Sequence, residues 1–167
     1  MKIIFAVLLF LLLPLSVSAS PPVTAEKLAK DIEKQGPEKV ISELYTHEEK
    51  DWRYVTEQIA KGDDNWLHIA ALLAPGADAD SAETLSVAVG LAIPHNPSGV
   101  LHILTNRYIS LSPGEICGLP FYNMTEAQFN QYVLDSIRAL YKVPSSKACI
   151  DIMVNIIGQS DKFREDI

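Results

Sequence analysis

Gly62-Asp63-Asp64-Asn65-Trp66-Leu67-His68-Ile69-Ala70-Ala71-Leu72-Leu73-Ala74-Pro75-Gly76 is the stretch that decides the fold class of this chain. A glycine stops one helix, Asp63 or Asp64 starts the next, and Ala74-Pro75-Gly76 breaks it. Trp66, Leu67, Ile69, Ala70 and Leu73 supply the apolar residues between start and stop, at spacings that put a wide stripe on one helical face. The segment therefore reads as one short helix of a helical hairpin.

The same punctuation recurs outward in both directions. Upstream, Thr24 caps a helix with Leu28 and Ile32 inside, ending at Gly36. Pro37 suits the first turn of a second, whose inner residues are Val40, Ile41, Leu44 and Tyr45. Thr46-His47-Glu48-Glu49 has the form of a capping box, in which the threonine hydroxyl and the Glu49 carboxylate reciprocally satisfy free amides. The helix it would open turns Trp52, Val55 and Ile59 inward, while Glu49, Arg53, Glu57 and Lys61 alternate in sign at four-residue spacing as a solvated face.

Downstream, Asp80-Ser81-Ala82-Glu83 is a second box-like start. The run it opens, through Ile93, is apolar nearly all round and carries small residues at Ala82, Ser86 and Gly90. Such a helix belongs at the centre of a domain. Asn96-Pro97 starts a helix with Val100, Leu101 and Leu104. Residues 105–124 are irregular, with a short helix over Pro113–Cys117 started by Ser112. Thr125-Glu126-Ala127-Gln128 opens a long helix through Tyr141 with Phe129, Val133, Ile137 and Leu140 inside. Pro144-Ser145-Ser146 turns into a last helix, Lys147 to Ile157.

These elements predict an all-α domain of about seven to eight short helices, paired as αα-hairpins. Two arrangements fit: a HEAT-like stack, with each pair burying its neighbour's face, or a compact bundle. Its bounds are residues 20–158, followed by a polar tail at 159–167.

The N-terminus predicts export. After Lys2 comes an apolar block, Ile3–Leu13, then Pro14 and the small-residue stretch Ser16-Val17-Ser18-Ala19. Val17 and Ala19 stand where a signal peptidase prefers small side chains, so residues 1–19 are expected to be a cleaved signal peptide, cut between Ala19 and Ser20. The block is too short for a permanent span, which needs about 20 apolar residues. A periplasmic or secreted location follows, in an oxidising compartment. Cys117 and Cys149 are the two cysteines, and in such a compartment they are expected to pair.

The formal charge is -7, with 14 basic against 21 acidic residues. It falls to -8 once Lys2 leaves with the signal. Chains this acidic repel nucleic acid and anionic lipid, so neither is an expected partner.

Gly62-Asp63-Asp64-Asn65-Trp66-Leu67, then Leu72-Leu73-Ala74-Pro75-Gly76-Ala77-Asp78-Ala79, then Asn96-Pro97 and Val100-Leu101, resembles a set of small exported bacterial proteins with no assigned activity. The resemblance covers roughly the middle third of the chain. It implies a bacterial source and a periplasmic destination, and it brings no catalytic residues.

Chemistry-bearing patterns are sparse. Asp64 and His68 lie four apart on one helix and can form half a metal site, but no HExxH-type pair or second nearby histidine completes it. His95 and His102 converge only if folding brings them together. Asp63, Asp64, Asp78 and Asp80 lack the spacing of a calcium loop and fit helix caps better. Ser98 sits in no nucleophile elbow, and phosphate or dinucleotide loops are missing. Glu115 and Glu126 each fit a first-turn acid. No metal or cofactor is expected, and the balance leans away from an enzyme.

A binding surface is the remaining expectation. Tyr108, Phe121 and Tyr122 concentrate aromatic side chains in the irregular segment beside Cys117; aromatics are common interface anchors, and the alternative is that they plug the end of the helical core. Lys147, Asp151 and Asn155 draw a polar stripe that solvent exposure explains. Asn123-Met124-Thr125 matches a glycosylation sequon, which carries no meaning in a bacterial protein. The expected function is a non-catalytic, exported protein-interaction module (an inhibitor, immunity-type or adaptor protein) whose partner is another exported and basic protein. The alternative is a small-molecule site or enzyme with a pocket between helices.

Overall fold

A computed structural model describes residues 23–46, 48–119 and 123–158 of the chain. The expected signal peptide with its Ala19–Ser20 cut, and the tail at 159–167, lie outside the described residues. So do His47, Phe121 and Tyr122.

Nine α-helices and three 3-10 turns make up the described residues, with no strand among them. The helices are α1 Ala25–Gln35, α2 Pro37–Leu44, α3 Lys50–Ala60, α4 Asp64–Leu73, α5 Ala79–Leu91, α6 Pro97–Ile103, α7 Pro113–Cys117, α8 Glu126–Leu140 and α9 Lys147–Gly158. The expectation of an all-α fold of short helices is met.

Helices pack chiefly on their next-but-one neighbours. One row runs α1, α4, α6, α8 and the other α2, α3, α5, α7, α9, with α1 against α2, α3 against α4 and α8 against α9 across the rows. α2 and α3 share a row, so the rows do not alternate strictly along the chain.

The caps explain most of the boundaries. Asp63 accepts from the Asn65 and Trp66 amides and starts α4. Thr125 and Gln128 exchange side-chain and backbone bonds as a complete capping box on α8. Ser112 accepts from the Glu115 amide to start α7. At Gly76 a Cβ would stand 2.3 Å from the Glu38 amide nitrogen, so only glycine lets the 3-10 turn Ala74–Gly76 approach the start of α2.

Two starts differ from the sequence reading. The box at Thr46–Glu49 does not form. Thr46 Oγ1 instead donates back to the Glu43 carbonyl at 2.6 Å, finishing α2. The chain then turns through Glu48 and Glu49, both with left-handed φ of 60° and 62°, before α3 begins at Lys50. In α5 the cap is Asp78, whose reciprocal partner is Ser81; the box stands two residues earlier than Asp80-Ser81-Ala82-Glu83. Ser81 fills the position three residues on as well as a glutamate does, and that frees Asp80 to accept from Tyr45 Oη at 2.7 Å.

α5 is the central helix, as its composition predicts. Ser81, Ala82, Leu85, Ser86, Ala88, Val89 and Gly90 are all buried. Ser86 donates to the Ala82 carbonyl, and the Gly90 carbonyl accepts from Tyr132 Oη at 2.8 Å. α8 is rotated from the expected face. Tyr132, Ser136 and Leu140 are its buried residues, and Phe129, Val133 and Ile137 pack half-buried at the edge. The tyrosine turns inward because its hydroxyl finds that carbonyl on α5.

A disulfide joins Cys117 on α7 to Cys149 on α9, both buried. Cys117 is therefore no free nucleophile. None of the described helices is long and apolar enough to cross a membrane.

Candidate functional site

The histidines come first, because folding decides whether they meet. Asn96 Nδ2 donates to the Gly62 carbonyl at 2.9 Å and to Asp64 Oδ1 at 2.7 Å, while its Oδ1 caps α6 by accepting from Gly99. This one side chain seats α6 against the start of α4. His68 and His102 consequently line one open cleft of about 450 Å³ together with Asp64, Asn96 and Ser98. His95 stays exposed on the turn before α6. No group of three or more His, Cys, Asp or Glu side chains among the described residues could hold a metal ion. Asp64 is already engaged by Asn96.

Tyrosine and acid titrations follow packing. Burial raises the Tyr45 hydroxyl well above the ordinary phenol value, and its bond to the Asp80 carboxylate adds to the effect. Burial likewise raises Tyr132. The Ser81 hydroxyl and amide hold the Asp78 carboxyl below its usual range, as expected for a helix cap. Each shift is accounted for by the fold.

A cleft of about 680 Å³ lies between α1 and α4 and includes Glu26, Gln58, Lys61, Asp63, Trp66 and His68 in its wall. Trp66 is half-buried there and meets Tyr54 edge-on, with ring centroids 6.0 Å apart. Trp52 behaves differently. It is 2% exposed, stacks on Tyr45 at 5.2 Å and donates Nε1 to Thr84 Oγ1 at 2.9 Å. The two tryptophans, equivalent on their sequence stripes, are thus separated by the fold.

That Trp52–Thr84 bond fixes the register of α3 against α5 and creates a third feature. Beyond the first turn of α5 the residues that are not buried are Glu83, Thr84, Val87 and Leu91. All four line one groove of about 410 Å³, opposite Thr56, Glu57 and Ala60 of α3, with Asn123 and Met124 at its edge. A solvent-facing strip on a helix is ordinarily polar. Here it holds valine and leucine four residues apart, and Ala60, Ala88 and Met124 extend the apolar surface.

Two carboxylates stand on opposite walls of this groove, Glu57 on α3 and Glu83 on α5, both exposed. The alternating face of α3 leads one to expect Arg53 and Lys61 beside Glu57. Instead Arg53 reaches back to the Glu48 carbonyl at 3.2 Å, and Lys61 reaches Gln58 at 3.1 Å. Among the described residues neither Glu57 nor Glu83 forms an ion pair. The groove's hydroxyls are internally engaged: Thr56 donates to its own helix, and Thr84 both accepts from Trp52 and donates to α5 carbonyls.

Of the aromatic surface expected at Tyr108, Phe121 and Tyr122, only Tyr108 is described. It is half-buried and packs against the core. The groove reaches the end of that same segment at Asn123 and Met124. Glu115 and Glu126 are exposed first-turn acids of α7 and α8. Lys147 and Asp151 pair with each other on the surface of α9.

The groove is absent from the sequence reading because its walls come from two separate helices, α3 and α5, with α4 between them in the chain. The available signal was Val87 and Leu91 at four-residue spacing on a helix apolar nearly all round, which periodicity alone assigns to the core. No family model, curated protein or solved structure matches this chain.

Proposed function

We propose that this chain is an exported, non-catalytic protein-interaction module whose partner is another exported protein of basic character. The observation that carries this reading is the α3–α5 groove: an apolar floor, open to solvent, with two carboxylates on its rim that lack cations of their own. An apolar floor rimmed by charged residues is a form that protein-interaction sites commonly take. The acidic balance of the chain, -7 overall, favours a basic partner and speeds encounter with one. The disulfide and the N-terminal apolar block support an exported location.

The test is affinity capture with the mature chain from periplasmic extract, followed by mass spectrometry and by purified association of the protein captured. Association should be saturable and should slow as ionic strength rises, through screening. Tyr108→Ala with Phe121→Ala should weaken it without unfolding the domain if the aromatic segment shares the interface.

The cleft holding His68 and His102 favours a second reading, a small-molecule or catalytic site between α4 and α6. Turnover of a defined substrate that is abolished by His68→Ala or His102→Ala would replace the binding module with that reading.

A further inference from the structure

We infer that the α3–α5 groove recognises a segment of the partner that carries an aliphatic anchor with lysine or arginine on one side of it, a specificity that rests on the binding-module reading above. Glu83, at one end of the strip, precedes Leu91 by eight residues, which is about 12 Å along a helix. Two turns of a partner helix, or about four residues of extended chain, cover that length.

The polarity of the groove orders the occupant. Trp52 bonded to Thr84 places the start of α3 beside Glu83 and the end of α3, Ala60, beside Leu91. The carboxylates therefore lie toward one end and in the middle, and the apolar residues Ala60, Leu91 and Met124 toward the other. An aliphatic side chain seated by Leu91 and Met124 leaves the preceding residues of the segment alongside Glu57 and Glu83. Cations there meet two carboxylates that have no competing partner among the described residues. Uncharged polar groups gain less there than cations do, because Thr56 and Thr84 already donate their protons within the fold and the remaining acceptors are carboxylates, which bond charged donors more strongly. Acidic segments are repelled.

The test titrates the full mature chain with three short synthetic peptides followed by fluorescence anisotropy: lysines beside one leucine, the same peptide with that leucine changed to serine, and the same peptide with glutamates for lysines. The first should bind, and the leucine-to-serine peptide should bind about ten-fold or more weakly. The glutamate peptide should show no saturable binding. Glu57→Lys with Glu83→Lys should weaken the lysine peptide by about ten-fold and give the glutamate peptide measurable affinity. Both positions are exposed, so the variant is expected to fold, and circular dichroism checks it. Equal affinity for the leucine and serine peptides, or binding untouched by the double reversal, overturns the inference. Should the captured protein partner still bind that double variant at full strength, the groove assignment fails while the binding-module reading stands. Failure to capture any saturable partner removes the module reading itself.

Discussion

Trp52 and Trp66 occupy equivalent places on their helices and should respond differently to truncation. Trp52 fills the junction of α2, α3 and α5, stacked on Tyr45 and bonded to Thr84. Trp52→Ala should cost about 3–5 kcal/mol, the range for large aromatic deletions in cores. Trp66 keeps one side in solvent over the α1–α4 cleft, so Trp66→Ala should cost roughly half as much. Urea denaturation of both variants checks the pair, and equal losses would mean that Trp66 is as deeply packed as Trp52. Glu49 tests the backbone instead. Its φ of 62° is one that glycine adopts without penalty, and its side chain caps nothing. Glu49→Gly should therefore raise stability by about 0.5–1 kcal/mol, read as a higher melting temperature. Tyr45 and Tyr132 set the alkaline limit. Both hydroxyls titrate higher in the folded chain than the ordinary value of 10.0. The folded state thus holds these protons after the unfolded chain has released them. Their contribution is complete below pH 10 and is lost as pH rises above it. Tyr132→Phe should flatten that alkaline decline in a pH series of denaturant midpoints, and an unchanged slope would contradict the burial argument.

At the scale of elements, the disulfide is the clearest test. It ties α7 to α9 across a sequence separation of 32 residues, and closing such a loop constrains the unfolded chain by about 3–4 kcal/mol. Cys117→Ser with Cys149→Ser should lower stability by about that amount, with α9 losing hydrogen-exchange protection before α5. The helices themselves were legible in the sequence because their signals are local. Asp63, Asn96, Ser112 and Thr125 cap where their side chains can reach an amide two or three residues on, and that geometry needs no tertiary partner. Box-like starts were less legible where two acids compete. Asp78 and Asp80 both fit the start of α5; Asp78 forms the reciprocal box with Ser81, and Asp80 accepts from Tyr45, just past α2. The inward face of α8 was misread for a similar reason. Apolar spacing favours Phe129, Val133, Ile137 and Leu140; Leu140 is buried as expected, but the other three pack half-buried while the Gly90 carbonyl on α5 accepts from Tyr132 inside. Arg53 and Lys61 escaped the four-residue pairing rule because closer acceptors, the Glu48 carbonyl and Gln58, were available.

For the whole molecule, stacking in two rows brings α3 and α5 side by side although α4 separates them in the chain. That juxtaposition makes the groove, and it explains why the site was the least legible part of the sequence. Val87 and Leu91 look like core residues until α3 is placed next to them. The same stacking lines a second cleft with His68 and His102, and the apolar groove is the surface proposed to hold the partner. The measurement that tests this most directly is methyl NMR of the mature chain titrated with its captured protein partner. Shifts should concentrate on the methyl groups of Ala60, Val87, Ala88, Leu91 and Met124, and reaching them should take about ten-fold more partner in the Glu57→Lys with Glu83→Lys variant. Shifts confined to Leu67 and Ile103, beside His68 and His102, with the groove methyls unmoved, would contradict the account and point to the α4–α6 cleft.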